Sequence, residues 1–580
     1  MATTERAASR PRLGGILRLY GPGSMDHVDP ASSYYALSGQ LIRLFARQLF
    51  TYPCERDLRS PRAITPTPDV AAETPTRENG GISRDGATVT IRLRPGVLWN
   101  TTPPRSVTAA DFVRGFKRMC CPVTCAGAIA YYTSSIRGMA EFCARYAAAV
   151  GPDATAGELA AFQNANEIAG IHALDERTLV FELVRPANDF LNILSMTFAS
   201  AAPIEYDAYV PDSPAFRAGT ISNGPYQLDH YVHGRELRMS RNPAWRQESD
   251  PVRRQHLDGV HVLMEKVTQD EVRARIAAGD ADLSWASPVT EPYDVPPTDA
   301  GNDLGYALNP YLVFNMRSPN CDGALAKLEV RQAIACAIDK TAIADIFHDL
   351  EAGTVMRPAQ SAVPPGNDGS SGFNPYSTPG DRGDPERARA LLRRAGYESG
   401  LTLVALHRDV DANPRVARSY AADLAKCGIA TELVAVGHAR YYEFLQNPAN
   451  AIAGAWDISA PSWTPDWFGN NGRAFLQPMF QTNESRGTSN YGLYSNPRVD
   501  RLIEQALASP DRDEARAIWE QVDRQVMADA AIVPLLVHAP TIPHLSGSRV
   551  RNAIAMPTID RWFDLSNLWL DPPYDEWEQR

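Results

Sequence analysis

Between Asp384 and Val436 the chain alternates helix and strand signals, and this alternation constrains the fold more than any other stretch. Asp384-Pro385 opens a helix, because an aspartate caps free backbone N–H groups and proline is pre-set for the first helical turn. Ala388, Leu391, Leu392 and Ala395 form its apolar stripe, and Gly396 closes it. The apolar run Leu401–Leu406 reads as a buried strand, Pro414–Cys427 as a second helix and Ala430–Val436 as the next strand. Two strands joined through a helix imply a parallel pair with a right-handed crossover. This part of the chain is an α/β lobe.

One such lobe does not use up 580 residues. At roughly 150 residues per domain there is room for about three to five lobes. Upstream the patterning differs. After the turn at Asp85-Gly86, the segment 87–94 places Val89, Ile91 and Leu93 on one face of a half-buried strand. Thr108, with Asp111 three residues on, opens a helix in which Phe112, Val113, Phe116 and Met119 recur at helical spacing. A second alternating strand, Leu179–Leu183, follows a turn at Asp175-Glu176. The Pro/Gly-rich stretches at 61–81, 288–302 and 358–384 are candidate boundaries.

Several function classes are disfavoured. With 44% hydrophobic and 22% charged residues the chain has the apolar surface that disordered proteins lack. Its 57 Lys+Arg against 68 Asp+Glu give a net charge of −11, the wrong sign for a nucleic-acid binder. No apolar run approaches the ~20 residues that span a bilayer; the nearest, Ala530–Val537, is interrupted by Pro534. The first residues carry charges but no apolar leader core, so the chain is either cytoplasmic or an exported protein whose signal has been removed. None of the common catalytic signatures is present, neither H-E-x-x-H, G-x-S-x-G, a phosphate-binding loop nor a dinucleotide fingerprint. The 11 histidines are scattered; His27, His230, His233 and His538 are the ones whose meeting would matter. The arginines at 387, 389, 393 and 394 read as one solvated helix face, and Arg253-Arg254 is too short for a binding patch. Four of the eight cysteines, Cys120, Cys121, Cys125 and Cys143, cluster without the spacing or histidines of a zinc site. Disulfide pairing in an exported protein and free thiols in a reducing one both remain open on spacing alone. Neither metal nor cofactor is expected.

An ordered series of segments resembles the family 5 extracellular solute-binding proteins, the oligopeptide- and dipeptide-binding components of ABC importers. The series begins with Gly14-Gly-Ile-Leu-Arg18 and Asp29-Pro30, then Thr90–Val97 and Thr108–Phe112. It continues with Gly224-Pro-Tyr226, Arg241-Asn-Pro243 and Trp245, then Leu312–Asn315, Val330-Arg331-Gln-Ala and Ala337-Ile-Asp-Lys340. It closes with Asn490-Tyr-Gly, Asn496-Pro497 and Asp500. Each fragment is weak alone; their joint order over residues 12–540 carries the resemblance. Pro461–Arg473 is further similar to actinobacterial members, among them the oligopeptide-binding proteins of clavulanic acid gene clusters.

The resemblance implies an α/β chain with the type II periplasmic-binding-protein fold: two α/β lobes with a hinge, plus an extra third domain. Lobe I would combine 12–55, 201–304 and 541–580; lobe II, the extra domain, would be 56–200; lobe III would be 305–540. Ligand would lie between lobes I and III. The resemblance also implies a disulfide between Cys120 and Cys143, and an extracytoplasmic location, either secreted or lipid-anchored. Peptides bind this family as added strands, so Ile458, Ser459 and Ala460 are expected to offer a strand edge, opposite Ser24 and Met25. A buried ligand ammonium needs a counter-ion. The resemblance implies an aspartate in a segment like A-D-Y-x-x-P; here Ala460 is followed by Pro461 and the acid is displaced, so Asp466, the only carboxylate between Asp457 and Glu484, is the candidate, with Trp463 and Trp467 beside it for cation–π contact. The competing reading makes Asp466 a cap after Pro465 and the indoles core residues. Tyr491 is expected to line the pocket or to pack beside it.

The expected protein is thus a non-catalytic, monomeric receptor for oligopeptides or peptide-like amino-acid derivatives, delivering to a membrane ABC permease. Two alternatives stand beside it. One is a metal-chelate or haem receptor of the same fold; the other is a carrier or enzyme acting on a peptide-like biosynthetic intermediate.

Overall fold

Alternating apolar residues become sheet, and the sheets fall into two compact units. The computed structural model describes residues 10–56, 60–124, 128–286, 307–350, 356–409, 412–484, 487–538, 546–559 and 562–574. One unit comprises Met1–Glu291 with Pro543–Arg580, the other Pro292–Ile542. The expected boundary at 288–302 and Cys125 lie outside the described residues.

The first unit contains β1 (Ile16–Gly21), β2 (Thr88–Arg92), α1 (Ala109–Met119), α2 (Met139–Ala149), α3 (Ala156–Ala165), β3 (Ile171–Asp175) and β4 (Thr178–Glu182). It continues with β5 (Tyr226–Val232), β6 (Glu236–Arg241), β7 (Gly259–Met264), α4 (Gln269–Ala278) and β8 (Leu283–Ser284). Its larger sheet has the order β8-β1-β7-β6-β5. There β1 runs parallel to β7 and β8, while β7, β6 and β5 form an antiparallel run. Leu17 and Leu19 alternate inward with Val260, Val262, Leu237 and Met239, covered by Leu41, Ile42 and Phe45. Tyr20 faces the opposite side and meets Val272 and Ile276 of α4. Each fully buried side chain of this kind stabilises the fold by about 1.5–3 kcal/mol relative to exposure.

The smaller sheet, β2-β4-β3, buries Val89 and Ile91 as their alternation predicts. Phe116 of α1 lies edge-on to Phe181, ring centroids 5.2 Å apart. The Asp111 carboxylate reaches back to accept the Thr108 backbone N–H at 2.9 Å, the cap that the sequence anticipates. At the other end of α1, Cys120 is bonded to Cys143 of α2. Arg118, buried two residues earlier, pairs with Asp29 in the loop after β1, and Ser32 Oγ donates to Thr124 Oγ1 at 2.9 Å. The β2–β4 segment is therefore tied to the loop that carries Ser24 and Met25.

Arg253 is not a surface residue. It lies 2.7 Å from Asp69 and 3.4 Å from Asp250, Arg47 lies 2.8 Å and 3.5 Å from the same two carboxylates, and all four side chains are 0% exposed. Two positive and two negative charges from distant segments balance in the interior. Burial by itself pushes the Asp250 carboxyl up, but the Arg47 and Arg253 guanidiniums more than offset it and hold the group below the usual carboxylate range.

The second unit contains β9 (Tyr311–Phe314), α5 (Pro385–Ala395), β10 (Leu401–Arg408), α6 (Asn413–Ala425), β11 (Ile429–Val436), α7 (His438–Leu445), β12 (Ile458–Ser459) and β13 (Ile532–Pro534). Asp384 caps α5 by accepting Arg387 N at 2.9 Å, and Gly396 takes the left-handed φ of +89° that ends it. β10 and β11 pair in parallel from Leu401↔Ile429 to Arg408↔Val436, with α6 between them in the chain. The sheet order is β11-β10-β12-β9-β13. Leu403 and Ala405 enter one core with Ile334, Val416 and Leu424; Leu406 enters another with Tyr441, Phe475 and Trp519. Both faces are covered, as parallel strands require.

Candidate functional site

In open α/β sheets, ligands collect outside the carboxyl ends of the strands, where side chains and loop backbone converge. In the second unit that end is marked by Arg408, the last residue of β10, and by the segment from Ala460 to Trp467 after β12.

β12 is not the exposed edge expected for Ile458–Ala460. It is third of five strands, with Ile458 and Ser459 paired to Ala405 and Leu406 on one side and to Phe314 and Val313 on the other. Both rows of backbone hydrogen-bonding groups are used within the sheet. The Ser459 side chain is committed too: its Oγ donates to Leu406 O at 2.8 Å and shares a 2.6 Å bond with Tyr441 OH. Asp457, just before it, fixes the junction by accepting Val404 N at 2.7 Å and Ser318 Oγ at 2.5 Å.

The two indoles are not an open surface around a cation. Trp463 pairs through its backbone with Leu308 at 2.8 and 2.9 Å, and its Nε1 donates to Ala474 O at 2.9 Å within the core. Trp467 is buried with Nε1 donating to Asn470 O at 3.0 Å. Once the indole N–H is satisfied by backbone, a tryptophan packs as a hydrophobe. Asp466 is half-buried beside a group of phenols.

Of those phenols the sequence singles out Tyr491 alone; Tyr441, Tyr442 and Tyr311 are the part that sequence reasoning missed. Tyr441 and Tyr442 of α7 meet edge to face at 5.1 Å, and Tyr442 lies 6.2 Å from Tyr491. Tyr311 of β9 stands within electrostatic reach of all three. The Arg408 guanidinium sits over the Tyr441 and Tyr442 rings, 5.5 and 5.6 Å from their centroids. Its Nε is buried and, among the described residues, has no hydrogen-bond partner. Burial, then the neighbouring Tyr442 and Tyr441, then the Asp466 charge hold the Tyr491 phenol well above its ordinary range. Asp466, three tyrosines and Arg408 thus share one neighbourhood: the carboxylate acts on Tyr491 and the guanidinium lies over Tyr441 and Tyr442, with Tyr441 and Tyr491 buried and Tyr442 partly exposed. The available signal was Arg408 at a strand's carboxyl end.

In the first unit, Met25 turns its side chain into the core, while Ser24 is half-buried. Ser24 Oγ contacts Tyr231 OH at 2.8 Å and His233 Nδ1 at 3.2 Å, and accepts Gly234 N at 3.1 Å. Among the described residues, nothing pairs with the backbone N–H or C=O groups of Ser24 and Met25. Asp26 holds the following turn by accepting Ser33 Oγ at 2.9 Å and Tyr35 N at 3.0 Å. His27 pairs with Asp212 at 2.9 Å, so it does not meet His233 through a shared partner.

Residues 65–487 match the family model described as bacterial extracellular solute-binding proteins, family 5, middle. The di/tripeptide-binding protein 4 of Pseudomonas aeruginosa is 29% identical over 479 residues, 79% of this chain and 80% of that protein. The dipeptide-binding protein of Escherichia coli is 27% identical over 495 residues, 80% of each chain. Among solved structures, that of clavulanic acid biosynthesis oligopeptide binding protein 2 superposes with a TM-score of 0.79 at 23% identity, covering 97% of this chain and 96% of that one.

Proposed function

The chain belongs to family 5 of the bacterial extracellular solute-binding proteins and has their type II periplasmic-binding-protein fold, and from that premise we propose that it captures short peptides or peptide-like amino-acid derivatives for an ABC importer. Members of this family bind solutes rather than transform them. The observation that carries the ligand class is the neighbourhood of Asp466, Tyr491, Tyr442 and Arg408, in which a carboxylate and a guanidinium border a cluster of phenols of which Tyr442 is partly exposed. A zwitterion with an ammonium at one end and a carboxylate at the other matches it. Arg408 supplies a buried N–H without a partner among the described residues, and a carboxylate is the acceptor that satisfies it best. The unpaired backbone at Ser24 and Met25 is suited to main-chain hydrogen bonds with an extended ligand. An extracytoplasmic monomer, secreted or lipid-anchored, completes the reading.

Calorimetry with trialanine, N-acetyl-trialanine and trialanine amide tests the assignment of ends. Losing one partner of a buried charge pair costs about 3–5 kcal/mol, roughly two to four orders of magnitude in affinity. Asp466→Asn is expected to weaken trialanine by that amount, and N-acetylation to do the same to the wild type. The two losses should not add, since both delete one interaction. Arg408→Met and the amide form the corresponding pair at the other end. Normal binding of N-acetyl-trialanine would remove Asp466 from the site.

A further inference from the structure

The β2–β4 segment of the first unit holds a cleft whose lining shares no residue with the peptide reading. Arg114 and Lys117 lie one turn apart on α1 and line a cleft of about 400 Å³ with Glu167 and His172. Val113 and Ile171 give it an apolar lining as well.

The two cations are incompletely used. Lys117 is 8% exposed; its Nζ donates to Gln163 O at 2.9 Å and pairs with Glu167 at 2.9 Å. Glu167 itself is 70% exposed, so the counter-ion of a buried ammonium stands at the solvent side. Arg114 spends only Nη1, donating to Asp207 at 2.7 Å and Asn164 at 3.2 Å. Among the described residues, nothing accepts from its Nη2 or Nε. A buried ammonium needs an anion, whereas an exposed carboxylate loses little by turning into water. Exchanging Glu167 for another anion is thus close to neutral, and new bonds to Arg114 decide the balance.

We propose that this cleft binds a small organic acid, its carboxylate displacing Glu167 from Lys117 and engaging Arg114, its short apolar body resting on Val113 and Ile171. The probe is butyrate, titrated into the full chain with ligand-detected saturation-transfer NMR, and butyramide is the neutral isostere. A charge-assisted hydrogen bond is worth roughly a factor of ten or more. Butyrate is expected to bind at least about tenfold more tightly than butyramide, and Lys117→Met to weaken it about tenfold. Glu167→Gln removes the carboxylate that competes for Lys117 and should tighten butyrate several-fold; since it also leaves the buried ammonium without its counter-ion, hydrogen exchange on α1 and α3 confirms that the variant is folded before binding is compared. Arg408→Met, in the other unit, should leave butyrate binding unchanged. The proposal is overturned if butyrate binds neither the wild type nor Glu167→Gln, if butyramide matches it, or if Arg408→Met abolishes the signal. Inorganic phosphate binding as tightly as butyrate would overturn the organic-acid class.

Discussion

Asp69→Asn should be among the most damaging single substitutions in the first unit. Asp69 sits 2.8 Å from Arg47 and 2.7 Å from Arg253, and none of the three side chains is exposed. Without its charge, two buried guanidiniums share Asp250 alone, at 3.5 and 3.4 Å. One net positive charge is then left in the interior, where breaking a buried pair costs about 3–5 kcal/mol. That is a large part of the roughly 5–15 kcal/mol that holds a domain folded. Hydrogen exchange read by mass spectrometry on peptides covering β1 and β7 isolates this unit, since the chain's two compact units make a single melting curve ambiguous. Asp69→Leu combined with Arg47→Met deletes one charge of each sign and should lose less protection than Asp69→Leu alone. A loss below about 1 kcal/mol for Asp69→Asn, or additive losses in the double variant, would refute the charge-balance argument.

Two other perturbations follow from buried groups. Reducing the Cys120–Cys143 bond frees a loop with a sequence separation of 23 and should cost about 3 kcal/mol by loop-closure entropy, read as lost hydrogen-exchange protection on peptides covering α1 and α2 with reductant. Asp523, accepting from Val363 N and Ser371 N at 3.0 Å, is pushed up to about 6 because burial outweighs those hydrogen bonds. Its folded-state value exceeds the unfolded one near ~3.9. The stability it contributes is therefore full below about pH 4 and lost as pH rises through about 6. Asp523→Asn should flatten that part of the stability–pH profile of the second unit, measured by denaturant-dependent hydrogen exchange on peptides covering β9 and β10 at successive pH values.

The elements most legible in the sequence are those whose signals are local. α5, β10, α6 and β11 announce themselves through caps, stripes and runs within about fifty residues, and their parallel pairing follows from chain order. β12 fails on the opposite ground. Two buried residues carry no mark of whether a strand is edge or interior; β9, from about 140 residues upstream, decides it by filling the other side. The burial of Arg253 is silent in the sequence for the same reason, since its partner Asp69 lies far away along the chain. Asp466 is reachable by elimination among carboxylates, but Trp463 and Trp467 look alike as ligand clamp or core until their N–H acceptors are known. Tyr441, Tyr442 and Arg408 have no local signature, because their grouping exists only once α7 crosses the end of β10.

The Asp29–Arg118 pair has a consequence for how such a chain can be shortened. The β2–β4 segment has its own sheet and its own disulfide, and on those grounds reads as a removable cassette. Excising it would leave Asp29, 2% exposed, without its cation in the turn just beyond Ser24 and Met25. A segment that looks separable is part of the scaffold for a distant turn, so a trimmed variant needs Asp29 neutralised in the same step.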